Sequence, residues 1–311
     1  MLLDPSLFAT GAIPEQVTRF NDWLEGALAN RLSVIDVGPV RARRDREDGR
    51  SIFGPMATAP GARDEEIATE SGSLRLHILE PESKPRAVYL HIHGGGWVLG
   101  AAHHHDAINH ELAERAGLVV VSVEYRLAPE HPHPAGLEDC LSAARWLVAH
   151  GSDRWGTDHF LLGGESAGAH LAALTLLQMP RGTFSGALFG YGCFDVGMTP
   201  SVRRWGDRDL ILSGPLIAWF ADQAFPSGVR SDPAVSPLYA DLSALPPARF
   251  VVGTMDPLLD DTLFMASRWA AAGNDVDLAV YPGGVHAFDY FPRHPYTREC
   301  VDGSAAWLQA H

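Results

Sequence analysis

The stretch FLLGGESAGAHLAALTLLQM, residues 160–179, decides the predicted fold. Its pattern indicates a short buried strand at 160–163, a tight turn around Ser166 and a helix over 167–179. Glycines on both sides of the serine allow the strained backbone of a strand-to-helix turn, which projects the hydroxyl above a sheet. The N-terminus of the following helix favours negative charge that develops beside it. The stretch therefore predicts a nucleophilic serine; the alternative is a structural turn with an ordinary serine.

A second motif, HGGGW at residues 93–97, follows a predicted strand at 87–92. Because glycines leave their N–H groups unobstructed, this loop can donate hydrogen bonds to an oxygen that becomes negative during a reaction. Loop amides of this kind act together with the amide that follows the nucleophile, here that of Ala167. The motif predicts an oxyanion hole, and the alternative is a flexible glycine turn.

A serine hydroxyl needs a base to activate it and an acid to orient that base. With a nucleophile on a strand-to-helix turn, the chain order is serine, acid, histidine. Asp256 directly follows a predicted strand, whereas Asp260 and Asp261 fall inside the next helix. His286 follows the last predicted strand in a glycine-containing loop, so we predict Asp256 and His286 as the acid and the base. The weaker candidates for the base are His294 and His311.

Strands and helices alternate along most of the chain, which predicts an α/β protein with a doubly wound, mostly parallel sheet. The predicted strands cover residues 74–79, 87–92, 118–123, 160–163, 187–189, 250–252 and 277–281. The predicted helices cover residues 106–116, 135–149, 167–179, 260–272 and 297–310.

Two regions depart from this alternation. Residues 14–30 have the apolar spacing of an amphipathic helix, and the charged residues 38–70 are expected to form a solvated loop. We therefore treat residues 1–70 as a separate N-terminal element. Residues 195–246 contain aromatic residues and prolines but little strand signal, and we expect a short helix there at 216–225.

The composition excludes several classes of protein. The 311 residues are 46% hydrophobic and 20% charged, which excludes wholesale disorder. The net charge of −14 argues against nucleic-acid binding and favours a neutral or cationic small molecule as partner. Three separated cysteines match neither a disulfide framework nor a zinc motif, so we expect a reducing compartment, the cytoplasm. No apolar run reaches about 18 residues, so we expect neither a membrane span nor a signal peptide.

Over residues 70–311 the chain resembles the hormone-sensitive-lipase-like family of α/β-hydrolase esterases. The resemblance rests on HGGGW at 93–97, YRLAPEHP at 125–132, the serine pentapeptide, DPL at 256–258, and His286 with Phe288, all in the family's order. It implies the α/β-hydrolase fold, with a mostly parallel central sheet flanked by helices. It also implies a cytosolic carboxylesterase of bacterial type that acts on small acyl esters without metal or cofactor.

The resemblance further implies a helical cap, built from residues 1–70 and part of 195–246, over a catalytic domain at 71–311. The roles it implies are a nucleophile at Ser166, a base at His286, an orienting acid at Asp256, and oxyanion amides at Gly94, Gly95 and Ala167. Four positions depart from the family pattern: Glu165 replaces the usual Asp, Ala169-His170 replace the usual Gly-Asn, and Ala287 replaces a frequent Gly. These departures affect the surroundings of the turn and hence substrate preference.

Two further groups of residues have competing interpretations. The run His103-His104-His105, with Asp106 and His110, could suggest a metal site, but consecutive histidines point in different directions, and we predict no metal. Several aromatic side chains either line a substrate pocket or pack in the core. The candidates for substrate binding are Trp97, Tyr191, Trp205 and Trp219, with Phe194 beside them.

The predicted function is hydrolysis of small, short-acyl esters through an acyl-enzyme. The alternatives on the same residues are an amidase, a lactonase or a sugar deacetylase. An alternative that is not an enzyme is a ligand receptor on the same scaffold, and the presence of the serine, the acid and the histidine argues against it. The sequence does not determine the oligomeric state and leaves a homodimer open.

Overall fold

The computed structural model describes residues 3–311, and within them the chain forms one eight-stranded sheet. The strands are β1 (Arg63–Thr69), β2 (Gly72–Leu79), β3 (Ala87–Ile92), β4 (Leu118–Val123), β5 (Phe160–Glu165), β6 (Gly186–Gly190), β7 (Ala248–Met255) and β8 (Val276–Val285). Their order is β1-β2-β4-β3-β5-β6-β7-β8. All neighbours from β4 to β8 are parallel, and β2 is antiparallel to both β1 and β4. The prediction of a mostly parallel α/β sheet is confirmed.

Helices cover both faces of this sheet. They are α1 (Glu15–Leu28), α2 (Val34–Glu47), α3 (Asp106–Ala116), α4 (Ala135–Trp155), α5 (Ala167–Gln178), α6 (Pro200–Trp205), α7 (Gly214–Ala224), α8 (Leu259–Ala271) and α9 (Thr297–Ala310). The central strands β3 and β4 are buried along their whole length, as strands covered on both faces are. None of the helices in residues 3–311 is both long enough and apolar enough to span a bilayer.

The predicted loop at 38–70 is wrong, because α2 and β1 occupy much of it. Ser33 begins α2 with a capping box: its Oγ accepts from the Asp36 N–H at 3.2 Å, and the Asp36 carboxylate accepts from the Ser33 N–H at 3.0 Å. The strand β1 pairs antiparallel with β2 at the edge of the sheet, where exposed charged side chains are common. The sheet therefore begins at Arg63, before the boundary at residue 70 that we expected.

Another difference concerns α4, which runs to Trp155 rather than ending near residue 149. Gly151 lies inside this helix, and a Cβ there would come 2.7 Å from the Phe160 ring. The glycine thus serves close packing of α4 on β5 and does not end the helix. In the 195–246 region, α7 confirms the short helix expected at 216–225, and the sequence did not reveal α6.

Candidate active site

The turn between β5 and α5 holds Ser166 in a strained backbone conformation, with φ 57° and ψ −120°. A Cβ on either Gly164 or Gly168 would overlap the carbonyl oxygen of Ile92 on the neighbouring strand β3. Only glycine at both positions lets the turn pack this closely against β3. The Ser166 N–H donates to the Gly190 carbonyl at 2.8 Å, which ties the turn to β6 as well.

Three strand ends bring the predicted serine, histidine and acid together. Ser166 follows β5, Asp256 follows β7, and His286 follows β8. The Nε2 atom of His286 lies 2.9 Å from the Ser166 Oγ, and its Nδ1 lies 2.9 Å from Asp256 Oδ2. Asp256 is buried, and its Oδ1 accepts from the Leu258 N–H at 2.8 Å. The carboxylate thus has one oxygen for the imidazole and one held by the backbone.

The two rival acids, Asp260 and Asp261, hold the loop after β6 instead. Asp260 accepts from the Ser201 N–H at 2.8 Å. Asp261 is fully buried and accepts from the N–H groups of Phe194 at 2.7 Å and Asp195 at 2.8 Å, while burial raises its pKa to about 7. Neither carboxylate contacts His286, so the structure pairs the imidazole with the acid that follows the strand directly.

The rival bases are held in aromatic packing. His294 contacts the rings of Phe20 and Phe288, with centroid distances of 4.6 and 5.2 Å, and burial lowers its pKa to about 4. His311 stacks on Trp307 at 4.2 Å. Neither of them contacts Ser166.

The HGGGW loop packs directly against the serine turn. A Cβ on Gly94 would lie 2.8 Å from the Glu165 carbonyl oxygen and 3.3 Å from the Ser166 Cβ. Gly95 has φ 126°, a conformation that favours glycine. The N–H groups of Gly94 and Gly95 donate to no other group in residues 3–311, and Ala167 begins α5, where an N–H has no helical acceptor. All three amides are available to an oxygen bound at Ser166.

His93 and Tyr125 hold this loop from behind. Their rings stack with centroids 4.2 Å apart, and the Tyr125 hydroxyl donates to the His93 carbonyl at 2.9 Å. Burial lowers the pKa of His93 to about 3, so this imidazole stays neutral. The segment that begins at Tyr125 therefore supports the glycine loop.

Asp289 is a residue of the site that sequence reasoning missed. Tyr191, with φ 35°, places its ring edge against His286 at a centroid distance of 4.8 Å and donates its hydroxyl to Asp289 Oδ1 at 2.7 Å. Burial raises the pKa of Asp289 to about 6. Its position three residues after His286 was the signal in the sequence that could have identified it.

Two of the departures from the family pattern have a visible structural role. Glu165 is buried and its Oε2 lies 3.0 Å from His91 Nε2 and 3.5 Å from His105 Nδ1. His170 accepts from the Trp97 indole N–H at 3.1 Å, and its Nε2 lies 2.6 Å from the Val235 carbonyl oxygen. Glu165 therefore connects the serine turn to β3 and to the histidine run, and His170 connects α5 to the glycine loop and to the segment around Val235.

The predicted run of histidines divides between two clusters. His103 and His104 face Glu47, whereas His105 joins His91 and Glu165. In each cluster the ligand atoms lie within 4.8 Å of one another, a spacing that a metal ion could bridge, although hydrogen bonds between imidazole and carboxylate account for both groups. Neither Asp106 nor His110 belongs to them.

A cavity of about 340 Å³ opens above Ser166 and His286. The glycine loop and the serine turn contribute to its lining. The rest comes mainly from α2, α7, residues 50–53 and residues 209–212. The apolar lining includes Val34, Val37, Phe53, Leu212, Leu216 and Phe220. Phe220 packs so closely on Gly96 that a Cβ there would overlap its ring.

Of the four predicted substrate-binding aromatics, only Tyr191 lines this cavity. Trp97, with φ 61°, turns its indole away to His170 and Phe225. Trp205 donates its indole N–H to the Arg208 carbonyl at 2.8 Å, outside the lining. Trp219 is adjacent to Phe220 on α7, but the ring that faces the cavity is that of Phe220. Trp97, Trp205 and Trp219 therefore do not line the cavity as predicted, and pack in the core or at the surface instead.

Comparison with known proteins agrees with this geometry. A family model described as an α/β hydrolase fold matches residues 89–290. The ethyl acetate hydrolase of Pseudomonas putida is 33% identical over 262 residues, which are 79% of this chain and 82% of that protein. The carboxylesterase NlhH of Mycobacterium tuberculosis is 35% identical over 215 residues, 66% of this chain and 67% of that protein.

Solved structures give the same result. A hyperthermophilic esterase from Pyrobaculum calidifontis superimposes with a TM-score of 0.85 at 30% identity, covering 96% of this chain and 98% of that one. A hormone-sensitive lipase from a metagenome library has the same fold, with a TM-score of 0.82 at 24% identity over 94% of this chain and 97% of that one. The chain belongs to the α/β-hydrolase family and, within it, to the carboxylesterases that are similar to hormone-sensitive lipase.

Proposed function

We propose that Ser166, His286 and Asp256 are the catalytic triad of this carboxylesterase, and that its substrates are small esters with short acyl chains. The observation that carries the proposal is the position of His286. Its two ring nitrogens lie 2.9 Å from a serine hydroxyl on one side and 2.9 Å from a buried carboxylate on the other. This arrangement is the one that activates a serine by general-base catalysis.

In the proposed first step, the Ser166 Oγ attacks the ester carbonyl carbon while His286 Nε2 takes the hydroxyl proton. The carbonyl oxygen becomes an oxyanion, which the amides of Gly94, Gly95 and Ala167 stabilise by donating hydrogen bonds. Asp256 holds the imidazole with its Nδ1–H toward the carboxylate and stabilises the imidazolium that forms. Because these groups are fixed by strand ends and glycine packing, little reorganisation accompanies the charge transfer.

In the second half of the proposed cycle, His286 donates its proton to the leaving alcohol and an acyl-enzyme remains on Ser166. A water molecule then attacks the acyl carbon while His286 acts again as base. The bond between the Ser166 Oγ and the acyl carbon then breaks, His286 returns the proton to this oxygen, and the carboxylic acid leaves.

The size and lining of the cavity support short esters. A volume of about 340 Å³ lies at the lower end of the range of small-molecule pockets. Apolar side chains from α2 and α7 form much of its walls. A relative at 33% identity is named an ethyl acetate hydrolase, which also supports a small acyl and a small alcohol group.

We also propose that α2 and α7 act as a cap over the catalytic domain. The cap consists of residues before Arg63 and part of 195–246, and both helices line the cavity above Ser166.

The three cysteines, Cys140, Cys193 and Cys300, are free and buried, which supports a reducing compartment such as the cytoplasm. The net charge of −14 supports partners other than nucleic acid. A homodimer stays a prediction that light scattering on the purified protein tests.

The test is a panel of 4-nitrophenyl esters from acetate to decanoate, with matched amides, assayed on the wild type and on Ser166→Ala. Within this panel we expect the wild type to have its highest kcat/KM for acyl chains of two to six carbons. We expect Ser166→Ala to lose nearly all turnover, about 10⁴-fold or more. Retention of most turnover by Ser166→Ala would refute the proposed nucleophile. A preference for the amides or for the longest esters would refute the proposed substrate class.

A further inference from the structure

Arg46 is a buried guanidinium in the wall of the active-site cavity. It lies in α2, lines the cavity, and is only 8% exposed. In residues 3–311 no carboxylate oxygen lies within 4.0 Å of its guanidinium nitrogens, and its Nε is buried without an acceptor. Burial of an ion and of a donor without partners costs free energy, so a side chain of this kind is explained best by a group that binds to it.

Two aromatic rings orient the guanidinium. Its central carbon lies 4.9 Å from the Phe53 ring centroid and 5.7 Å from that of Tyr290. Cation–π contacts orient the group but do not satisfy its N–H donors. The Tyr290 hydroxyl is within reach of a side-chain hydrogen bond from Arg46, whereas Nε stays buried without an acceptor. Ser51 lines the same cavity, and its Oγ is also buried without a partner. The two side chains offer unpaired donors to one space.

Three of the four acidic side chains around Arg46 have other partners, whereas the fourth, Asp209, has a buried Oδ1 without one. Its sequence neighbour Asp45 lies 2.7 Å from Arg50, and Glu47 lies 2.7 Å from His104. Glu165, which also lines the cavity, is held by His91 at 3.0 Å. Asp209 lines the cavity too, at more than 4.0 Å from the guanidinium. Among the described residues none of these carboxylates neutralises Arg46 by direct contact.

We propose that Arg46, with Ser51 beside it, is a subsite for a carboxylate carried by the substrate, so that the enzyme prefers short esters that bear a second, anionic carboxyl group. A planar guanidinium matches a carboxylate through two parallel hydrogen bonds. The preference contrasts with the acidic surface of the protein, which favours neutral or cationic molecules at long range. This inference rests on the proposed function, because the subsite belongs to the cavity above Ser166.

The carboxylate can lie on either side of the scissile ester. Monoethyl succinate and monoethyl glutarate carry it on the acyl side, and butyryloxyacetate carries it on the alcohol side. Their neutral counterparts, with a methyl group in place of the carboxylate, are ethyl butyrate for the succinate, ethyl valerate for the glutarate and ethyl butyrate again for butyryloxyacetate. The measurement is kcat/KM for each charged ester divided by kcat/KM for its counterpart, in the wild type and in variants.

We expect Arg46→Gln to lower this ratio about 10- to 100-fold on one side of the ester, because a charge-assisted bidentate contact contributes roughly 1.5–3 kcal/mol. The loss is expected mainly in KM. Arg46→Lys is expected to recover part of the ratio. Asp209→Asn is expected to raise it by removing a like charge. The matched control is Arg44→Gln, an exposed arginine of the same helix that does not line the cavity; its ratio should equal that of the wild type.

An equal loss on charged and neutral esters in Arg46→Gln would overturn the subsite and indicate a structural role. A wild type that prefers neither charged series would overturn it as well. If Arg46→Gln does not fold, the proposal is tested on Ser166→Ala by comparing the rise in Tm caused by monoethyl succinate with the rise caused by ethyl butyrate. Equal rises in Tm would overturn the proposal. Failure of the wild type on every ester would instead contradict the proposed function.

Discussion

The carboxyl edge of the sheet and the proposed cap above it are built on different principles. At the sheet edge, Ser166, Asp256 and His286 each follow a strand, and hydrogen bonds of 2.9 Å join them. In the cap, α2 and α7 come from distant parts of the chain and face the cavity with apolar side chains. Short local motifs thus position the side chains at the sheet edge, whereas contacts between distant segments determine the shape of the cavity.

The largest effect is expected from a substitution at the carboxyl edge of the sheet. Asp256→Asn should lower kcat about 10⁴-fold, because an amide no longer holds the imidazole in the tautomer that accepts the serine proton. Asp260→Asn is the matched control, since that carboxylate contacts the Ser201 N–H and not the imidazole. Steady-state kinetics on 4-nitrophenyl acetate measure both. Comparable losses in the two variants would contradict the assignment of the acid.

A smaller effect is expected from the cap. Phe220→Ala removes a ring that packs on Gly96 and lines the cavity, so longer acyl chains gain space. We expect the ratio of kcat/KM for octanoate over acetate esters to rise roughly 10-fold, as removal of a few methylene-sized contacts does. Trp219→Ala, the neighbouring residue outside the lining, serves as control and should leave the ratio unchanged. The same rise in both variants would indicate loosening of the whole cap rather than enlargement of the cavity.

The smallest expected effect concerns the pH dependence of stability beside His286. Burial raises the pKa of Asp289 from 3.8 to about 6, so the folded protein binds this proton more tightly than the unfolded chain. The contribution to the free energy of unfolding is complete below pH 3.8 and is lost as the pH rises through about 6. Relative to Asp289→Asn, the wild type should lose on the order of 1 kcal/mol over this interval.

Thermal denaturation of both proteins between pH 4 and 8 measures this difference. The asparagine can still accept the Tyr191 hydroxyl hydrogen bond, so the comparison isolates the titration. Parallel Tm profiles, or a wild type that gains stability relative to the variant as pH rises, would contradict a raised pKa at Asp289.

The sequence was sufficient to predict the elements of the sheet edge. A serine, an aspartate and a histidine directly after the strands β5, β7 and β8, together with glycines that permit close packing, are local patterns. The parallel sheet converts them into one site because the carboxyl ends of its strands meet. Asp289 was missed because its role comes from Tyr191, which lies 98 residues away and has an uncommon positive φ.

The cap was harder to predict for physical reasons. Its helix α2 is interrupted at Gly38, which has φ 74°. The capping box of Ser33 and Asp36 therefore begins only the first turn, and the charged part of the helix follows Pro39 without such a signal. The edge strand β1 is polar because one side faces solvent, so its alternation is weak. Which aromatic ring faces the cavity depends on packing between segments, and for that reason Trp219 was predicted where Phe220 lies.

The most direct test of the central claim is covalent labelling with a fluorophosphonate probe, followed by intact-mass and peptide analysis. We expect addition of one probe per chain to the active wild-type protein, on the peptide that contains Ser166, with loss of esterase activity in proportion to labelling. Ser166→Ala should stay unlabelled. An active wild type with no label on Ser166, or full labelling of Ser166→Ala, would contradict the account.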